Sequence, residues 1–289
     1  RATCVSPSWK PSWRRRADDM GAFRDLLSKG GRRPRWIDAT DYCGRLLAAG
    51  DIPWGDVTRL VDWHRKAQGL LRPDVAALPL VPLTRAWIGG HESLREAMSA
   101  RRRLLYPLKT LLSDEALRDH IRAILNGLRL SHVGVPLALV LPAPADFVGF
   151  AAELAGTEVE PVDADDADSA AMYMADFLRA FGDSGIDALL LETAGSDVTG
   201  TVTACAAVLN IAGHYRWDVG LRHEGVVAPA GIDFQVAAAP AAGLPTGLAL
   251  GADFWRDGAP TPEGGEFIFA SVPADAMPET VLQRLQALN

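Results

Sequence analysis

The sequence is poor in cysteine: Cys4, Cys43 and Cys205 are its only three in 289 residues, and none stands in a CxxC or metal-type spacing. An odd, sparse count argues against a disulfide framework and fits a reducing compartment, so a cytoplasmic location is expected. Long apolar runs are missing too. The longest, around Val133 to Ala145, is interrupted by Pro136, Pro142 and Pro144. It falls short of the ~20 residues a membrane span needs, and no membrane partner is expected. The chain has no GxGxxG after a strand, no GxxxxGK[ST] phosphate loop, no GxSxG elbow and no HExxH. What is present is ordinary for a folded chain: 48% hydrophobic, 22% charged and 7% aromatic residues. That balance excludes a disordered or collagen-like polypeptide. At this length roughly three quarters of the unfolded surface can be buried, enough for one large domain or two small ones.

Basic residues are scarce in one half only. Residues 1–130 hold 24 of the 29 Lys+Arg and 14 of the 36 Asp+Glu, a balance of +10. The remainder holds 5 basic and 22 acidic residues, a balance of −17, for a net charge of −7. Such polarity can mark a nucleic-acid patch, a site for an anionic substrate, or two faces of one domain that attract each other. The tract Arg101 to Arg103 precedes apolar Leu104 and Leu105 and reads as a solvated helix face without interleaved aromatics, so no nucleic-acid partner is expected. Near the start, Lys10 and Arg14 to Arg16 accompany Trp9 and Trp13. Pro7 and Pro11 spoil an amphipathic targeting helix there, and residues 1–34 are read as an N-terminal arm.

From Pro136 onward, short continuous apolar runs bounded by Gly, Pro or acidic residues recur: Leu137 to Leu141, Ile186 to Leu191, Tyr215 to Leu221, Ile232 to Ala237, Leu248 to Leu250 and Phe267 to Ala270. Runs of this kind are strands buried on both faces of a parallel sheet. Arg35 to Thr40 and Val75 to Leu83 supply two more upstream. Helical spacing appears over Asp56 to Leu71, with Asp56 as cap, and over Ala170 to Phe181. It recurs over Ser271 to Leu288, with Pro278 in the first turn. A long basic helical region, Glu92 to Leu130, is broken near Pro107 and Ser113. The acidic patch Asp163 to Asp168 reads as a solvated linker, because it lacks the glycine and distant glutamate of a calcium loop. Eight strands alternating with helices predict an α/β, single-domain (β/α)8 TIM-type barrel over residues 35–289.

Four segments of the second half carry a family resemblance. Ala175 to Glu192 is a helix, glycine turn and strand ending in an acid. Val219 to Gly225 ends a strand in Arg222-His223-Glu224. Gly247 to Asp253 ends one in Gly-Ala-Asp, and Phe267 to Ala270 is followed by Met277 to Val281. In order and spacing they resemble the barrel superfamily of uroporphyrinogen decarboxylase and cobalamin-independent methionine synthase. The Arg-Gln-Ala-Gly-Arg segment and the terminal Gly-His-Gly-Ile of the decarboxylases proper are absent, so the chain resembles a divergent member. Zinc-dependent methyltransferases of the superfamily hold zinc through His and Cys. Here no cysteine follows Cys205, so a thiolate zinc site is missing and no metal or cofactor is expected, with zinc, folate or corrinoid the only ones the resemblance would suggest.

In such barrels chemistry sits at the C-terminal strand ends. Glu192 ends a buried run, where a carboxyl pKa rises into the range for proton transfer; its plain alternative is an N-cap or ion pair. Arg222 offers an anion clamp, His223 a proton carrier near neutral pH and Glu224 an orienting carboxylate, against a mixed-charge loop as the alternative. His223 and Glu224 with one remote ligand could also hold a metal, but adjacent strand residues point to opposite faces, which argues against it. Asp38 with Asp41 follows the first strand, and Asp253 with Trp255 the seventh. Either acid could position a substrate hydroxyl or amine, or cap a loop. After the second strand come Thr84, Arg85 to hold a carboxylate and Trp87 as a flat wall, with surface and core positions as alternatives. His214 lies at the start of the fifth strand, on the stability face. The expectation is therefore a lyase of decarboxylase type acting by proton transfer on a small carboxylated substrate. Glu192, His223 and Glu224 would be catalytic, and Arg85, Trp87, Arg222, Asp253, Trp255 and Asp38 would bind substrate. A methyltransferase is the alternative enzyme. A non-catalytic barrel that binds a ligand or partner subunit is the alternative of another class, favoured if apolar side chains fill the mouth. A homo-oligomer is left open.

Overall fold

The structure, a computed structural model, describes residues 21–225, 229–256 and 258–288. Its first half runs α1 (Ala22–Ser28), β1 (Arg35–Asp38), α2 (Thr40–Ala48), α3 (Val57–Leu71), β2 (Ala76–Pro79), α4 (Leu80–Gly90), α5 (Glu92–Ser99), α6 (Tyr106–Ser113) and α7 (Glu115–Ser131). The second half runs β3 (Leu137–Pro142), α8 (Pro144–Ala155), α9 (Ala164–Arg179), β4 (Ala188–Glu192), α10 (Val198–Ala204), α11 (Ala206–Tyr215), β5 (Asp218–Arg222), β6 (Phe234–Ala237), β7 (Thr246–Leu250), α12 (Ala252–Arg256), β8 (Phe267–Ser271) and α13 (Pro278–Gln286).

All eight strands are parallel and lie in the order β1-β8-β7-β6-β5-β4-β3-β2, which makes a nearly closed (β/α)8 barrel of one domain. Among the described residues the ladder is interrupted at one seam, between β1 and β2. At the lower end of that seam the Asp74 N–H donates to the Arg35 carbonyl at 2.8 Å, and the Arg35 N–H to Asp74 Oδ2 at 2.7 Å. Above this point the strands separate. Ala76 donates its N–H to Pro136 beside β3, so by strand alternation Ala77 and Pro79 turn their backbone polar groups toward β1. Pro79 has no N–H to offer there, and proline is tolerated in a strand where pairing is absent. The ring of His64 on α3 meets the Ala77 carbonyl instead, Nε2 to O at 3.1 Å.

Two apolar layers follow from the strand alternation. Leu137, Leu139, Leu141, Leu189 and Leu191 pack outward under the helices. Trp36, Val75, Ala138, Val140, Ala188, Leu190, Phe234, Val236, Phe267 and Phe269 fill the lumen. Gly220 and Gly247 make room for the large rings: a Cβ at either position would overlap Phe234 or Phe267 respectively. The lumen floor is closed by α1. Phe23 is fully buried, 4.5 Å from the Phe234 ring and 5.3 Å from the Phe267 ring, while Arg24 Nε donates to the buried Asp218 carboxylate at 2.8 Å. The described part of the expected arm is thus the bottom plug of the barrel; residues 1–20 lie outside the described residues.

Several boundaries shift for physical reasons. The second strand ends at Pro79 and not at Leu83, because Leu80 opens α4 with Pro82 in its first turn, where a missing N–H is harmless. The acidic patch is no linker: Asp163 caps α9 by accepting the Asp166 N–H at 2.8 Å, and Asp165 and Asp166 occupy the first turn, where carboxylates suit the helix dipole. Asp56 caps α3 and Asp114 caps α7 in the same manner. The charge asymmetry is in good part internal complementarity. Arg24–Asp218, Arg85–Glu153, Arg118–Asp176 and Arg129–Asp187 each join the basic half to the acidic one.

Candidate active site

The alternation that turns Trp36 and Leu190 into the lumen turns Asp38 and Glu192 inward two residues later, at the C-terminal strand ends. Arg222 stands likewise two residues beyond Gly220. Register places Glu192 beside Arg222 across the β4–β5 ladder. Arg222 Nη1 donates to Glu192 Oε1 at 2.8 Å, and the guanidinium lies 4.9 Å from the centre of the Phe269 ring. Both side chains keep about a third of their surface open, 38% for Arg222 and 35% for Glu192. Burial lifts the Glu192 carboxyl above the ordinary carboxylate range. Arg222 offsets part of that lift and Asp38 adds to it. The result is a carboxyl that binds its proton more tightly than a free glutamate, held against a cation that also has unused donors, since a guanidinium carries five N–H groups.

Beside this pair lies a cavity of about 100 Å³, lined by Asp38 and Glu192 at the mouth, Trp36, Val140 and Phe269 in the lumen, and Trp63 and His64 of α3 beyond the open seam. Nothing in the sequence marks α3 as a wall of the site. Trp63 and His64 sit at core-facing spacing of an amphipathic helix, and the open seam that exposes them depends on a strand pairing the sequence does not spell out. His64 Nδ1 lies 2.9 Å from His132 Nε2. Burial, the neighbouring His132 and an opposing backbone bond leave the His64 pKa pushed down to about 4, so its ring is neutral.

The other expected site residues are dispersed. His223 points outward and is buried in the wall, its Nε2 3.0 Å from Gln235 Oε1, and Gln235 in turn donates to Thr246 Oγ1 at 3.0 Å. Glu224 follows it exposed at the surface. Arg85 and Trp87 fall on α4 because β2 ends early: Arg85 pairs with Glu153 at 2.9 Å on the exposed flank, and Trp87 stacks on His91 with ring centres 4.0 Å apart. Asp253 is exposed at the start of α12, and Trp255 is buried in the outer layer against Phe254. His214 is exposed at the end of α11, on the N-terminal side of β5. Asp38, Glu192 and Arg222 are therefore the expected residues that converge. Cys43 and Cys205 are buried with thiols pushed up to about 12 by desolvation, which keeps both from acting as nucleophiles. Among the described residues no three His, Cys, Asp or Glu side chains cluster as metal ligands, and no helix is long and apolar enough to cross a membrane.

No protein-family model matches the chain, and no curated protein matches it.

Proposed function

We propose that the protein is a barrel enzyme that acts by proton transfer on a small carboxylated substrate, as a lyase of the decarboxylase type. The observation that carries this reading is the Glu192–Arg222 pair at the C-terminal mouth, with Asp38 beside it and the Glu192 carboxyl lifted by burial. Arg222 binds the substrate carboxylate through donors that Glu192 leaves free, in the geometry that suits arginine to carboxylates. Glu192, whose carboxyl burial lifts above the ordinary carboxylate range, is the group that exchanges the proton at the reacting carbon. Asp38 keeps the local field negative and disfavours ionisation of Glu192. The mouth layer carries two acids and a guanidinium in place of apolar fill, which favours an enzyme over a non-catalytic barrel. The cavity is smaller than the ~150 Å³ that holds benzene, so the part of the substrate that enters it is small.

The reading is tested by assaying small mono- and dicarboxylic acids for turnover, with carbon dioxide release as one readout. Glu192→Gln, with fold retained, is expected to lower turnover about 10²- to 10⁴-fold while substrate still binds. Arg222→Ala is expected to weaken binding itself. Undiminished turnover in Glu192→Gln would remove the proposed role.

A further inference from the structure

The cavity is polar at one end and apolar at the other, although polar side chains line both. At the mouth end are the carboxylates of Asp38 and Glu192. At the α3 end the polar groups are spoken for elsewhere. His64 sets Nε2 against the Ala77 carbonyl and Nδ1 against His132, the Trp63 indole N–H donates to the Cys43 carbonyl at 3.4 Å, and the Gln68 amide donates to the Pro73 carbonyl at 2.8 Å. With these atoms engaged away from the substrate site, Leu60 and Ala67 complete the wall at this end. The seam above Arg35 and Asp74 is what lets a space beginning in the lumen continue outward to α3.

Resting on the reading of Arg222 and Glu192 given above, we propose that the β1–β2 seam is the tail pocket of the substrate site and that the substrate is a carboxylic acid with a short aliphatic tail and a carbonyl near the carboxylate, which takes up the electron pair left when the carbon–carbon bond breaks and returns it as Glu192 protonates the carbon; saturated acids are its unreactive analogues. Its carboxylate lies at Arg222, which stands outside the cavity lining and adjoins it through its ion pair with Glu192, and its hydrocarbon end passes through the seam against Trp63 and Ala67. A volume of about 100 Å³, below the ~150 Å³ of a cavity that holds benzene, admits a short tail and excludes a long one. The seam thus sets an upper limit on tail length.

The test uses the full chain and the straight-chain acids from acetate to hexanoate, with the matching n-alcohols as ligands that lack the carboxylate, binding being followed by NMR titration. Affinity for the acids is expected to rise about fourfold per buried methylene up to the length the pocket holds, and then to level off. In Ala67→Leu, which fills the α3 end, the advantage of the longer acids over acetate is expected to disappear. Ala67→Val, a smaller intrusion, is expected to shorten the preferred tail. Acids that bind through Arg222 with no length preference would overturn the tail pocket and leave the carboxylate site standing. A length preference insensitive to both Ala67 variants would also overturn it. Alcohols that bind with a length preference where acids do not bind would keep the pocket and refute the carboxylate site; silence from both series would refute both.

Discussion

Replacing Arg222 by methionine isolates the charge at the mouth, because methionine retains contact with the Phe269 ring while the guanidinium is removed. The variant leaves Glu192 without its cation. A fully buried pair broken in this way loses about 3–5 kcal/mol, whereas exposed pairs are worth about 0–1 kcal/mol. With 35–38% of these side chains open to solvent, the loss at neutral pH is expected to fall between, at about 1–2 kcal/mol. Its pH dependence is the sharper reading. A carboxyl whose folded pKa is raised contributes stability at low pH that is lost as pH rises through its folded value. Removing Arg222 raises that value further, because Arg222 opposes the lift. Urea unfolding at a series of pH values is therefore expected to show wild type and Arg222→Met nearly equal at pH 4 and separating steadily toward pH 7.5. A separation of the same size at both ends would refute the claim that burial of Glu192 is held in check by Arg222.

Two further outcomes follow from the barrel floor and the seam. Phe23→Ala empties the lumen plug, and a buried phenylalanine lost from a core costs about 3–5 kcal/mol. At roughly 2–4 °C per kcal/mol the melting temperature is expected to fall by about 10 °C, and a shift under about 2 °C would show that α1 does not close the barrel. His64, with its pKa pushed down to about 4, resists protonation in the folded state, so stability present above the ordinary histidine value is lost as pH falls toward 4. His64→Gln keeps a donor for the Ala77 carbonyl and is expected to flatten that acid slope. An NMR titration that finds His64 protonating near pH 6.5 would contradict its burial at the seam.

The barrel was legible because strands such as Leu137 to Leu141 and Ile186 to Leu191 are apolar without interruption, the mark of burial on both faces. Glu192 and Arg222 were legible as strand-ending charges in that frame. Strand ends themselves were less so. Leu80 to Leu83 continues the apolar run of β2 yet winds into α4, since a first helical turn accepts Pro82, and this carries Arg85 and Trp87 away from the mouth. His223 follows Arg222 by one residue, and a period of two sends it into the outer wall. The seam was not legible at all, because it arises from a missing strand pairing and from the ring of His64 standing in for it, neither of which leaves a sequence pattern.

The most direct measurement for the site as a whole is a crystal structure of the protein with a bound short-chain carboxylate. The account expects carboxylate oxygens about 2.7–2.9 Å from the Arg222 guanidinium, with Glu192 beside the ligand. A ligand found instead at Arg85 or along Arg101 to Arg103, with the mouth empty, would contradict it.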